Sequence, residues 1–161
     1  MLVLGVDPGT TDTGFGLVEE KNNNLFYMSS GTIKTSKKFD MSMRLQAIYV
    51  EIEKIISTFK PDAVIIEKGF YSKNVQTVIK LGQVNGVVML ASVNAGIPVF
   101  EYSPLEVKLA VVGYGAAKKE QVQYMVYQIL NLKEPVDTEH AADALAVAIC
   151  HINRKRYDRL S

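Results

Sequence analysis

The chain has 161 residues, 48% of them hydrophobic and 22% charged, with a formal net charge of +1 at pH 7. That balance suits one globular domain over 1–161 with a single core, and it excludes a chain too polar to fold. It also excludes the blanket basicity of many nucleic-acid binders, so any such role must rest on where the charges sit.

In chain order, 2–7 is a short apolar run ending in Asp7, followed by a Pro8-Gly9-Thr10 turn. It lacks the basic flank and cleavage site of a secretory signal, and the longest apolar runs, such as 86–91 and 144–150, are too short to cross a bilayer. Residues 14–19 read as a second strand, Asn22-Asn23-Asn24 as a turn, and 25–35 as a third strand that completes a meander. Asp40 stands as a helix cap before Leu45, Ile48, Ile52, Ile55, Ile56 and Phe59 at helical spacing, and Lys60-Pro61-Asp62 ends that helix. The run 63–67 is a strand of the fully buried kind, again ending in an acid, Glu67. A long helix over 75–95 stops at Gly96. Its Gly82 and Gly86 lie four apart, where a helix of the same subunit or of a twofold mate can come close. Residues 98–102 form a fifth strand, Ser103-Pro104 opens a helix, and 118–132 is another. Asp137 or Thr138 caps a last helix running to about 156.

Within 153–161, Arg154, Lys155, Arg156 and Arg159 read as a flexible basic tail. His151 lies near the end of the last helix, where a favourable interaction with the helix dipole is the simplest account. Cys150, the one cysteine, excludes an internal disulfide, fits a cytoplasmic location and reads as a buried structural thiol. Three consecutive strands followed by strand–helix alternation predict an α/β fold: a mixed five-stranded sheet with helices on both faces.

In such sheets ligands bind beyond the carboxyl ends of the parallel strands, where Asp7 and Glu67 stand. His140 and Asp143, three apart, share one face in the first turns of the last helix, whose positive end favours an anionic Asp143. Taken singly, Asp7 also reads as a turn former, Glu67 as a solvated strand end and Asp143 as part of a wet helix face. Gathered together, three carboxylates would neutralise one another by raised pKa unless cations joined them. Two divalent ions supply that charge, and oxygen ligands suit magnesium or manganese. Metals about 3.5–4 Å apart can bridge a scissile phosphate and activate a water, which is the chemistry of phosphodiester hydrolysis.

Several segments then coincide with one family. They are Leu4-Gly5-Val6-Asp7-Pro8-Gly9-Thr10 with Thr13-Gly14-Phe15-Gly16, Ile66-Glu67, Lys80-Leu81-Gly82-Gln83, Gly86-Val87 and Pro98-Val99-Phe100-Glu101-Tyr102. Val107-Lys108, Val111-Val112-Gly113-Tyr114-Gly115 with Lys119, and His140-Ala141-Ala142-Asp143-Ala144-Leu145-Ala146 complete the set. In this order, over roughly 1–152, the chain resembles the RuvC family of Holliday-junction resolvases. The resemblance implies a ribonuclease-H-like fold and a homodimer that nicks two like-polarity strands of a four-way DNA junction, with two Mg²⁺ ions per site, Mn²⁺ substituting, and ligatable 5′-phosphate products. It also implies the branch-migration proteins RuvA and RuvB as partners.

The same resemblance puts the acidic centre on Asp7, Glu67 and Asp143, and a fourth position, Asp in some members and His in others, on His140. Junction contacts fall on Phe70, Lys73, Lys108 and Lys119, with Lys118 beside the last. Imidazole is a poor magnesium ligand, so His140 is expected to position or deprotonate the attacking water, or to bind Mn²⁺ directly. Phe70, with Tyr71 as its rival, is placed to stack on an unpaired base, and the lysines to track phosphates, although each lysine alone reads equally well as a solvated face. The basic tail either touches DNA or is disordered.

Two other readings share features. Actin-, hexokinase- and sugar-kinase-type ATP folds also begin with an Asp-x-Gly-Thr turn, but they need a second similar domain. A catalytically idle or RNA-directed relative of the same fold, as in the YqgF-like group, would not require the intact acids or the lysine and aromatic positions.

Overall fold

Ten elements follow in the expected order in the structure, a computed structural model that describes residues 1–69 and 72–160. Strands β1 (Leu2–Asp7), β2 (Asp12–Lys21) and β3 (Asn24–Lys34) form an antiparallel meander, and Asn22 and Asn23 make the tight β2–β3 turn at positive φ. Helix α1 (Met41–Phe59) then crosses to β4 (Ala63–Glu67), which pairs parallel with β1. Helix α2 (Val75–Asn94) leads to β5 (Val99–Tyr102), parallel to β4. Helices α3 (Pro104–Val112), α4 (Lys119–Ile129) and α5 (Glu139–Leu160) complete the chain, and the sheet order is β3-β2-β1-β4-β5.

The side-chain alternation of a strand divides the core into two layers. Val3, Ala63 and Ile65 face α3, α4 and α5, whereas Leu4, Val6, Val64 and Ile66 face α1 and α2. The central strands are covered on both sides, which is why 63–67 reads as a continuous apolar run. Helix α5 is buried from Ala141 through Ile152 apart from Asp143, because it lies against the sheet beneath α3 and α4. Its close approach requires glycine in the sheet: a Cβ at Gly5 would collide with the Ala144 carbonyl, and one at Gly14 with that of His140.

Several local expectations change. Asp40 occupies the α1 cap position without a side-chain capping hydrogen bond, while Asn74 and Ser103 cap α2 and α3. Thr138, rather than Asp137, closes the start of α5, its hydroxyl accepting from the Ala141 amide at 3.1 Å.

The segment 153–160 is not a flexible tail but the last two turns of α5, and its cations are engaged within the fold. Arg156 and Arg159 reach buried Glu20 at 2.7 and 3.5 Å. Arg154 pairs with Glu106 and covers the Tyr102 ring, and Lys155 lies over Phe100. These contacts offset the mutual repulsion that made the segment look unstructured.

His151 is buried and shares a 2.9 Å hydrogen bond with the Tyr102 hydroxyl. Burial, with Lys155 adding to it, pushes its pKa down to about 4, so it is no cation at a helix end. Cys150 is a buried thiol as expected, and desolvation drives it up to about 12.

Candidate active site

Register decides where the acids meet. Val6 pairs with Ile66 across the parallel β1–β4 ladder, so the next residues, Asp7 and Glu67, end side by side at the same edge. Alternation turns both toward α5, on the face of Val3, Gly5, Ala63 and Ile65. Past Asp7, the buried Thr13 hydroxyl donates to the Gly9 carbonyl at 2.7 Å and holds the Pro8-Gly9 turn closed.

The first turns of α5 complete the constellation. His140 Nδ1 lies 2.9 Å from Asp7 Oδ2, the ring N–H donating to the carboxylate. Asp143 shares a cleft of about 280 Å³ with Glu67, Lys108, Lys119, Pro104, Val107, Val122 and Ala146. All four predicted acid–base residues therefore assemble at one edge of the sheet.

The electrostatics are those of crowded anions. Burial raises the Glu67 carboxyl to about 7, with Asp7 and Asp143 adding to the shift and Lys119 and Lys108 opposing it. Burial also raises Asp7 above the ordinary carboxylate range, against the pull of its hydrogen bond from His140. Lys119 lies 2.8 Å from Asp143 and 3.4 Å from Glu139; burial disfavours its charge, but these partners outweigh that and raise its pKa. Among the described residues no three His, Cys, Asp or Glu side chains already form a tight metal cage. The Asp143 carboxylate is turned onto Lys119.

The other predicted contacts scatter. Lys108 and Lys119 line the cleft. Lys118 is exposed at the α4 cap, its backbone amide donating to Gln121 at 2.7 Å, and Lys73 is exposed in the β4–α2 connection. Phe70 and Tyr71 lie outside the described residues.

Three contributors were not singled out from the sequence. Glu139 holds the second side of Lys119. Thr32 Oγ1, on β3, lies 2.5 Å from Thr138 Oγ1 and ties the sheet to the start of α5. Tyr102, beside Glu67 in the β4–β5 register, anchors His151. The i, i+4 spacing of Glu139 and Asp143 was visible in the sequence, but nothing there pointed to the lysine between them.

The family described as crossover junction endodeoxyribonuclease RuvC matches residues 3–151. The crossover junction endodeoxyribonuclease RuvC of Syntrophomonas wolfei subsp. wolfei is 49% identical over 156 residues, covering 97% of this chain and 91% of that one. Its counterpart from Caldanaerobacter subterraneus subsp. tengcongensis is 51% identical over 151 residues, covering 94% and 92%. Among solved structures, T. thermophilus RuvC in complex with Holliday junction substrate matches with a TM-score of 0.93 at 36% identity, over 98% of this chain and 96% of that chain.

Proposed function

The chain belongs to the RuvC family of crossover junction endodeoxyribonucleases, and on that premise we propose that it resolves four-way (Holliday) junctions in recombination and repair by metal-dependent phosphodiester hydrolysis. The observation that carries the proposal is the meeting of Glu67 and Asp143 in one cleft with Lys108 and Lys119, with Asp7 beside Glu67 at the strand ends and close enough to both acids to interact with them. Nucleases of this family match nearly the whole chain, which disfavours the ATP folds, and the intact acids disfavour an idle relative.

The donor set fits divalent cations. Glu67, raised to about 7 first by burial and then by Asp7 and Asp143, is a carboxylate whose ionisation a cation would favour, and carboxylate oxygens are the ligands that Mg²⁺ and Mn²⁺ prefer. Asp7, Glu67 and Asp143 would hold two such ions, with His140 a further ligand for manganese. Bound there, the metals supply Lewis acidity toward the phosphate and lower the pKa of a water. His140, held through Nδ1 by Asp7, is oriented with its other nitrogen available to position an attacking water or take a proton from it. Lys73, Lys108, Lys118 and Lys119 contribute phosphate contacts. The products are ligatable 5′-phosphate ends.

Paired cuts call for two subunits. One face of α2 supports this: Val75, Ile79, Leu90 and Val93 are exposed, and a Cβ at Gly82 or Gly86 would meet nothing within 4 Å among the described residues. That spacing forms one apolar stripe with a small-residue centre, suited to a second copy rather than to the same subunit. RuvA and RuvB are the partners that family membership leads us to expect. No helix among the described residues is long and apolar enough to cross a membrane.

The test is cleavage of a labelled four-way junction against a linear duplex of the same sequence, with Mg²⁺, Mn²⁺ or chelator, by the wild type and Asp7→Asn. Symmetric nicks confined to the junction, abolished by chelator and by Asp7→Asn while binding persists, support the reading. Equal cutting of the duplex, or none with either metal, overturns it.

A further inference from the structure

Glu67 and Asp143 face one cleft and Asp7 lies near enough to interact with both, so these carboxylates repel one another and the metal-free protein gains from a cation of its own there. Lys119 supplies it, from the first turn of α4. Its Nζ lies 2.8 Å from Asp143 Oδ2 and 3.4 Å from Glu139 Oε2, two acids one turn apart on α5. The Asp143 side chain is 19% exposed and that of Glu139 74%, so the ammonium bridges an inner carboxylate and an outer one.

Building on the divalent-metal reading above, we propose that Lys119 is a built-in counter-cation that competes with the metal for Asp143, and that Glu139 is the positioning residue that receives it when the metal takes Asp143. Glu139 is already within ion-pair range, so the exchange needs only a small shift of the lysine end. A compact charge on a flexible four-carbon stem suits such a move. The displaced ammonium stays at the rim of the cleft that Lys108 also lines, so it remains available to a phosphate instead of leaving the site. Glu139 thus acts through Lys119 and touches neither the metal nor the DNA.

The test is calorimetric titration of Mn²⁺ alone into DNA-free protein, comparing the wild type, Lys119→Met, Glu139→Gln and the double variant. A metal-free melt of each checks the fold. Lys119→Met is expected to bind Mn²⁺ roughly fivefold tighter, and Glu139→Gln roughly threefold weaker, as a part-exposed ion pair allows. Because Glu139 works only through the lysine, its substitution has no further effect in the Lys119→Met background. A loss from Glu139→Gln that persists undiminished in the double variant is a plain field effect and overturns the role of Glu139. Unchanged affinity in Lys119→Met overturns the counter-cation. Both of these outcomes leave Mn²⁺ binding by the wild type intact, whereas no uptake by either the wild type or Lys119→Met removes the divalent-metal reading and this inference together.

Discussion

His140 Nδ1 donates to Asp7 Oδ2 across 2.9 Å, joining the first turn of α5 to the end of β1 although the two residues are 133 positions apart in the chain. The bond fixes the orientation of a ring that is otherwise half-exposed, its side chain 45% accessible. His140→Ala is therefore expected to lower the cleavage rate by about 100-fold, in the range of general acid–base groups, with junction affinity unchanged. Single-turnover cleavage in Mg²⁺ and in Mn²⁺ checks this; wild-type rates with both metals would remove His140 from the mechanism.

Glu67 carries a cost in the metal-free protein. Its folded pKa of about 7 stands above the ordinary 4.5, so the stability it allows is complete below pH 4.5 and is lost as pH rises through 7. Glu67→Gln removes that loss. With chelator at pH 8, the variant should be more stable than the wild type by about 2 kcal/mol, while being inactive. Urea melts of both proteins at pH 5 and pH 8 measure the difference, which should shrink at the lower pH.

His151 gives the opposite slope. Its folded pKa of about 4 lies below the usual 6.5, so between these values the unfolded chain binds a proton that the folded one does not. Its contribution is complete above pH 6.5 and is lost as pH falls toward 4, by about 3 kcal/mol in all. Compared with a non-titrating His151→Gln, the wild type should lose relative stability over that window. Parallel stability–pH curves for the two proteins would contradict the burial of an uncharged imidazole.

The α2 stripe predicts the effect of one charge. Ile79→Asp places a carboxylate on an exposed apolar face that makes no contribution to the core, so the monomer should fold normally while self-association is lost. Sedimentation should show a dimer for the wild type and a monomer for the variant, and junction cutting should lose its paired character. A variant that remains dimeric would move the interface elsewhere.

Much of this was legible in the sequence. Apolar runs ending in acids gave β1 and β4 with Asp7 and Glu67 at their ends, and helical spacing gave α1, α2 and α5 to within a few residues. These features are local: period and turn chemistry act within one element. Gly82 and Gly86 were legible as a packing surface, but only the structure showed that, among the described residues, nothing lies within 4 Å of a Cβ added at either. The segment 153–160 misled because charge pattern alone cannot reveal a counter-ion 136 positions away, and Glu20 was waiting on β2 for Arg156.

The sequence by itself determined the order of elements, the α/β plan with helices on both faces and the acids at the strand ends, because backbone periodicity and the demand to bury apolar faces are written residue by residue. Only the tertiary structure decided that Lys119 would face Asp143 and Glu139, that His151 would be buried beside Tyr102, and that the arginines of the last basic turns would pair with acids within the fold. Such pairings depend on strand register and on how closely α5 descends onto Gly5 and Gly14. Both are properties of packed elements rather than of any one segment.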